Sequence, residues 1–283
     1  MKNKIVAIGD LHGHYDQFMQ IMDKFMANDW YGLDPEKDTF VFLGDYVDGG
    51  PDTKAVLEEL IVLKERFPHW KFLFGNHESL FLDGMNPRHP LYGDYYLWFN
   101  QGGAATIESY KPRQSVEPTE YERYQRALMK PSELIPESHW DFIRNLDLYY
   151  ETPEYFFVHG GIYPNRSIED HKKSIEDAYP NGFDPLLMQE GDMAYDMIWM
   201  RNPFIASDFD WKKRIVFGHT TWPYQSFLGI DPDNNEEVDH PGYPLIMKNK
   251  IGLDTMMHNE GRLTALILSE GTFIFSDFTR DNT

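Results

Sequence analysis

Ile5-Val6-Ala7-Ile8-Gly9-Asp10-Leu11-His12-Gly13 joins a four-residue apolar run to a glycine-bounded turn that carries a carboxylate and an imidazole. A short β-branched run that ends in glycine reads as a buried strand. Asp10 and His12 stand at i and i+2 of an extended segment, so their side chains point the same way and reach one ion. The arrangement returns along the chain. Phe40-Val41-Phe42-Leu43 precedes Gly44-Asp45-Tyr46-Val47-Asp48, and Phe72-Leu73-Phe74 precedes Gly75-Asn76-His77-Glu78. Val158 leads into His159-Gly160-Gly161, and Ile215-Val216-Phe217 into Gly218-His219-Thr220. Every block therefore sits at a strand C-terminus, where open α/β sheets hold their ligands.

Between the first three blocks the apolar period changes to that of a helix. Phe18, Ile21, Met22 and Phe25 follow Gly13, and Val56, Leu57, Leu60, Ile61 and Leu63 follow Gly50. Residues 1–78 thus read as a βαβαβ unit with parallel strands. From about 79 to 150 the composition turns to Trp, Tyr, Pro and charge, which reads as a helical insertion over the site with helices near 119–130 and 136–145. Its aromatics Tyr92, Tyr95, Tyr96, Trp98 and Phe99 read first as the insertion's own core and second as the lining of a cleft. Residues 165–212 show few periodic runs, and 229–243 read as an acidic surface loop. The end, Arg262 to Leu268 and then Phe273 to Phe278, reads as a hairpin that closes a second sheet.

The 283 residues suit one catalytic domain, 1–283, with an insertion. A hydrophobic content of 41% supplies a core. The formal charge of −20 repels polyanions and argues against nucleic acid or anionic membrane as partner, while metal ions would still supply local positive charge for a small phosphorylated substrate. The absence of cysteine excludes disulfides, thiolate ligands and thiol nucleophiles. There is no signal-like apolar segment at the start and no long apolar stretch later, so a soluble cytoplasmic protein is the expectation.

Asp10, His12, Asp45, Asn76, His159 and His219 form a donor set of carboxylates, one amide and imidazoles, enough for two divalent ions. Asp10 and His12 would hold the first ion, and Asn76, His159 and His219 the second. Asp45 has two oxygens and would bridge the pair at a separation of about 3.5–4 Å. Two divalent ions against two aspartates and a hydroxide leave a net positive charge that attracts phosphate. His77 follows Asn76 and stands where it can protonate a leaving alkoxide, and Asp48 can hold its tautomer. Singly, each block has an ordinary explanation as a surface loop, a capped turn or a hydrogen-bonded core histidine. Five in order, each behind an apolar run, carry the signal together. His14, His89, His139, His171, His240 and His258 have no partner at ligand spacing and read as surface residues, and Glu78 reads as support for the loop of Asn76 and His77.

In order and content the blocks resemble the calcineurin-like metallophosphoesterases, and within them the bacterial and bacteriophage branch of the phosphoprotein phosphatases, whose pattern is GDxHG, GDxVDRG, GNHE, HGG and GHT. The resemblance runs from Gly9 to the segment Leu253-Asp254-Thr255 with Gly261-Arg262-Leu263-Thr264-Ala265-Leu266. It implies an α/β fold, a β-sandwich of two mixed sheets flanked by helices, and the same six metal ligands. It further implies Mn²⁺ as the metal, with Fe and Zn²⁺ as alternatives, and His77 and Asp48 as the catalytic dyad. Asn76, His77 and Arg201, the last in Trp199-Met200-Arg201, would contact the substrate phosphate. The implied reaction is phosphomonoester hydrolysis, serine/threonine phosphatase-like, by attack of a hydroxide bridging the ions. Gly49 departs from the pattern where the family has an arginine. That departure keeps open the hydrolysis of dinucleoside polyphosphates or other nucleotide phosphoanhydrides, with Arg88 or Arg113 as substitutes for the missing clamp. A non-catalytic metal-binding scaffold is a further alternative, but it has no need of His77 and Asp48.

Overall fold

The computed structural model describes residues 3–27, 30–85, 96–111, 134–221, 244–255, 261–268 and 271–276. Strands β1 (Ile5–Ile8), β2 (Thr39–Phe42) and β3 (Lys71–Phe72) lie parallel, with Ala7 beside Val41 and Phe42 beside Phe72. A second mixed sheet holds β4 (Tyr149–Glu151), β5 (Tyr155–Val158), β6 (Arg214–Phe217), β7 (Leu245–Ile246) and β8 (Lys250–Gly252) in the order β4-β5-β6-β8-β7. Its three central strands are parallel and both edge strands antiparallel.

The period of two along each strand builds the layers. Ala7, Val41, Leu43 and Leu73 of the first sheet meet Phe157, Val216, Ile251 and Leu253 of the second in one buried cluster between the sheets. The alternate residues Val6, Ile8, Phe40 and Phe42 pack outward among Phe18, Ile21 and Phe25 of helix α1 (Tyr15–Met26) and Val56, Leu57 and Leu60 of α2 (Thr53–Arg66). On the far side Phe217 meets Phe204 edge to face at 5.0 Å. Each fully buried side chain of this size contributes about 2 kcal/mol. The result is the expected α/β sandwich of two mixed sheets with helices outside.

Three expectations need correction. The C-terminal hairpin forms, as β9 (Thr264–Ile267) and β10 (Thr272–Phe275), but β9 pairs antiparallel with β1 and extends the first sheet instead of closing a second. The register Ala7 to Leu266 explains the choice, since it buries Leu266 between the sheets beside Ala7. The boundary near 79 falls inside α3 (Asn76–Met85), which begins at a site residue; α4 (Ala104–Tyr110) follows, and α5 (Glu137–Arg144) is the helix expected near 136–145. Residues 165–212, read as having few periodic runs, contain α6 (Ile168–Ala178), opened by a capping box of Ser167 and Asp170, and α7 (Met193–Trp199). The expected helix at 119–130 and the loop at 229–243 fall outside the described residues. Among the described residues no helix is long and apolar enough to cross a membrane.

Candidate metal centre and active site

The turns that follow β1, β2 and β6 are held in unusual backbone conformations. Seven non-glycine residues among those described have positive φ, and four of them are His12 (43°), Asp45 (53°), Asp48 (71°) and His219 (61°). Such residues cost of order 1–3 kcal/mol each and persist only where the surroundings dictate them. For the Asp45 turn the dictating group is Glu78. Its buried carboxylate accepts from the backbone N–H of Asp45 at 2.8 Å, Tyr46 at 2.7 Å, Val47 at 3.3 Å and Gly75 at 2.9 Å. Glu78 therefore supports the loop that precedes Asn76, as expected, and also the neighbouring one. Gly75 must be glycine, because a Cβ there would collide with Asp45 Oδ1.

Packing the two sheets brings the blocks together. Ligand atoms of Asp45, His159 and His219 lie within 4.8 Å of one another, and so do those of His12, Asp45 and His77. Asp45 is common to both trios. Asp10 belongs to neither, and the first trio holds His77 where the sequence suggested Asp10. The Asp10 carboxylate is joined to the site through its Oδ2, which accepts from the His219 backbone N–H at 2.9 Å. Asn76 Oδ1 lies 2.8 Å from His159 Nε2 and 2.7 Å from His219 Nδ1. The His12 and His77 rings meet edge to face at 4.7 Å, and His77 Nδ1 lies 2.9 Å from Asp48 Oδ2.

Charge is crowded here. Burial, then the charges of Asp254 and Asp45, push the Asp10 carboxyl well above the usual range. Burial acts on Asp45 in the same direction, but the imidazoles of His159, His77 and His12 override it and hold that carboxyl well below its ordinary value. Burial opposes charge on His77, yet Asp45 and the hydrogen bond to Asp48 raise its imidazole to about 9. At His219, burial together with Arg201 and His159 holds the ring well below its usual value, so it is neutral.

The donor set fits cations. His159 Nδ1–H donates to Leu43 O at 2.8 Å, and its Nε2 lies 2.8 Å from Asn76 Oδ1 and 3.2 Å from Asp45 Oδ1; burial opposes charge on this ring, but Asp45 raises it above its usual value, so Nε2 carries a proton that a metal ion would displace. His219 Nε2–H donates to Trp199 O at 3.1 Å, which leaves Nδ1 facing the same amide oxygen. Acceptors turned toward acceptors are what a bound metal ion resolves, and backbone carbonyls that fix the imidazole tautomer are its usual outer support. Asp10 Oδ1 is buried without a hydrogen-bond partner.

Arg201 is half-buried, and its Nη2 donates to His219 O at 3.4 Å, which puts its charge beside the second trio. Gly49 offers only backbone, and Arg88 and Arg113 lie outside the described residues. Of the aromatics, Trp98 is buried, Tyr96 and Phe99 are exposed, and Tyr92 and Tyr95 are not among the described residues. Two residues to which the sequence gave no part in the dyad touch it: Trp98, read there only as insertion core or cleft lining, as a hydrogen-bond donor, and Thr106. No local motif marks either one. The surface reading of His139 and His171 was wrong. His139 is buried against Tyr110 Oη at 2.6 Å, and His171 is buried between Ser167 O and the Tyr163 N–H. His14 is half-buried, and His89, His240 and His258 are outside the described residues.

The family model of the calcineurin-like phosphoesterases matches residues 3–248, the span that carries all five blocks. The chain belongs to this family. An 80-residue segment is 38% identical to the serine/threonine-protein phosphatase PP2A-like PPG1 of Candida albicans, covering 28% of this chain and 18% of that protein. Another 80-residue match, at 34% identity, is to a zinc-dependent endopolyphosphatase of Saccharomyces cerevisiae, covering 28% of this chain and 22% of that one. Both matches thus span less than a quarter of the relative's length. Among solved structures, the cold-active protein tyrosine phosphatase of a psychrophilic Shewanella superposes with a TM-score of 0.52 at 18% identity, covering 97% of this chain and 80% of that chain, a likeness of fold.

Proposed function

We propose that this phosphoesterase is a dinuclear metal-dependent phosphatase acting on phosphomonoesters. The observation that carries the reading is Asp45, one carboxylate shared by two trios of ligand-type side chains, beside a histidine hydrogen-bonded to a buried aspartate. Asp10, His12, Asp45, Asn76, His159 and His219 would hold two divalent ions, and Mn²⁺ suits this oxygen and nitrogen set, as do Fe and Zn²⁺. When bound, such ions acidify water and neutralise phosphoryl charge. The chain's own residues do the rest. Arg201 and the Asn76 amide orient the phosphate. Water attacks phosphorus in line and gives up a proton to solvent, the bond to the leaving group breaks, and its electron pair goes to the departing oxygen, which takes a proton from His77 Nε2. Asp48 holds Nδ1 and stabilises the imidazolium before transfer.

A second reading, hydrolysis of nucleotide or inorganic phosphoanhydrides, draws on Gly49 in place of an arginine and on the endopolyphosphatase relative. The deciding experiment strips the protein with chelator, restores Mn²⁺, and compares p-nitrophenyl phosphate, a phosphopeptide and a dinucleoside tetraphosphate. Metal-dependent turnover of the monoesters supports the first reading. Cleavage of the anhydride alone moves the assignment to the second. A protein that binds metal and turns over none of the three is not a phosphatase.

A further inference from the structure

The proton-donating pair is held from outside the loops that bear it. Asp48 is fully buried, and its carboxylate faces the segment 98–106. Trp98 Nε1–H lies 3.0 Å from both carboxylate oxygens, and Thr106 Oγ1 donates to Oδ1 at 2.8 Å. The contact is reciprocal, since the Asp48 N–H donates to Thr106 Oγ1 at 2.9 Å and the Gly49 N–H to Gly102 O at 3.2 Å. The second partner of the Thr106 hydroxyl is Thr53 Oγ1 on α2, at 3.2 Å, so the hydroxyl is itself braced. Trp98 cannot swing away. It is fully buried, edge-on to Phe81 at 5.7 Å, and its indole fills a slot that a Cβ at Gly103 would close.

We propose that Trp98 and Thr106 are positioning residues for proton transfer to the leaving group. The inference rests on the reading of His77 as the donor. A carboxylate on a short side chain, held by the imidazole alone, is free to rotate about its own bonds. Two rigid neutral donors fix its plane, and among the described residues they leave His77 as the one imidazole bonded to it, so the ring is presented with Nε2 toward the site. Neutral donors also leave the carboxylate its full charge with which to stabilise the imidazolium. In this arrangement the segment 98–106 is part of the catalytic apparatus, and a departing oxygen that needs a proton feels its loss while one that does not is indifferent.

Trp98→Phe keeps an aromatic ring in the slot and removes the N–H together with part of the indole, while Thr106→Val removes the hydroxyl at nearly constant volume. Manganese-loaded wild type, Trp98→Phe, Thr106→Val, Thr106→Ser and Asp48→Asn would be compared on phenyl phosphate, a poor leaving group, and dinitrophenyl phosphate, a good one, with melting temperature recorded. For Trp98→Phe and Thr106→Val, kcat on phenyl phosphate should fall by about tenfold or more, with a change within about threefold on dinitrophenyl phosphate, and Thr106→Ser should behave as wild type. Thr106→Val carries the test should the indole substitution fail to fold. Equal losses on both substrates would reduce Trp98 and Thr106 to packing and overturn the proposal. If Asp48→Asn discriminates between the leaving groups and Trp98→Phe and Thr106→Val do not, the proposal alone fails. If none of them discriminates, the donor reading fails and the proposal falls with it.

Discussion

The loops after β1 and β2 carry three aspartates of the site, Asp10, Asp45 and Asp48, together with His12, whereas the loops after β5 and β6 carry imidazoles alone, His159 and His219, with Arg201 beside them. The loop after β2 is anchored by a carboxylate, Glu78, through three backbone N–H groups, with a fourth from Gly75 in the loop after β3. The imidazole pair is anchored through backbone carbonyls, Leu43 O and Trp199 O, that orient its rings. Neither sheet makes the site alone. Asp45 and His159 approach to 3.2 Å because Ala7, Val41 and Leu43 pack against Phe157, Val216 and Leu253. Carboxylates with His12 from one sheet and imidazoles from the other bring together, only in the folded sandwich, the side chains that could hold a cation.

The contrast breaks hardest at Asp45. Asp45→Asn should cut phosphatase turnover by about a thousandfold or more, ~4 kcal/mol, since both trios lose their shared carboxylate. His219→Ala, which empties one position of one trio, should cost about a hundredfold or less and be partly restored by raised metal concentration. Equal losses in the two variants would contradict the division between the sheets.

The anchors differ in the same way. Glu78→Gln removes one acceptor oxygen and turns an amide donor toward backbone donors, so stability should fall by about 3 kcal/mol, measured by urea unfolding of the metal-free protein. A loss of a few tenths would mean that the Asp45 turn is held by other means.

A third prediction sharpens the comparison away from the site. Lys250, at the start of β8, is fully buried, and its ammonium donates to Phe204 O at 2.8 Å, Ile205 O at 3.0 Å and Ser207 O at 2.6 Å. Burial pushes it down to about 8 from 10.5, against the pull of Asp208. The unfolded chain therefore holds this proton more tightly than the folded one. The resulting cost is present in full below pH 8 and is lifted as pH rises toward 10.5. Relative to Lys250→Met, wild type should gain up to about 3 kcal/mol across that window, read as the difference between two denaturation series. A flat difference would show that the three carbonyls offset the burial.

The strand-end blocks were legible because each is local. An apolar run, a glycine and a ligand occupy about ten consecutive residues, as at Ile5 to Gly13. What closes the site was not legible, because it depends on contacts far apart in the chain. Trp98 is 50 residues from Asp48 and Thr106 is 58. The edge chosen by the terminal hairpin was hidden for the same reason, since only the packing of Leu266 beside Ala7 selects it. His139 and His171 misled because burial came from Tyr110, Tyr163 and the Ser167 carbonyl, which no spacing rule marks. The capping box of Ser167 and Asp170 was a local signal for α6 and was available in the sequence.

Crystals of the protein soaked in Mn²⁺ and measured by anomalous diffraction test the central claim most directly. Two peaks about 3.5–4 Å apart, both within ligand distance of Asp45, with His12 on one side and Asn76, His159 and His219 on the other, are the expected result. A single peak, or peaks that leave Asp45 uncoordinated, would contradict the joining of the two sheets through one shared carboxylate.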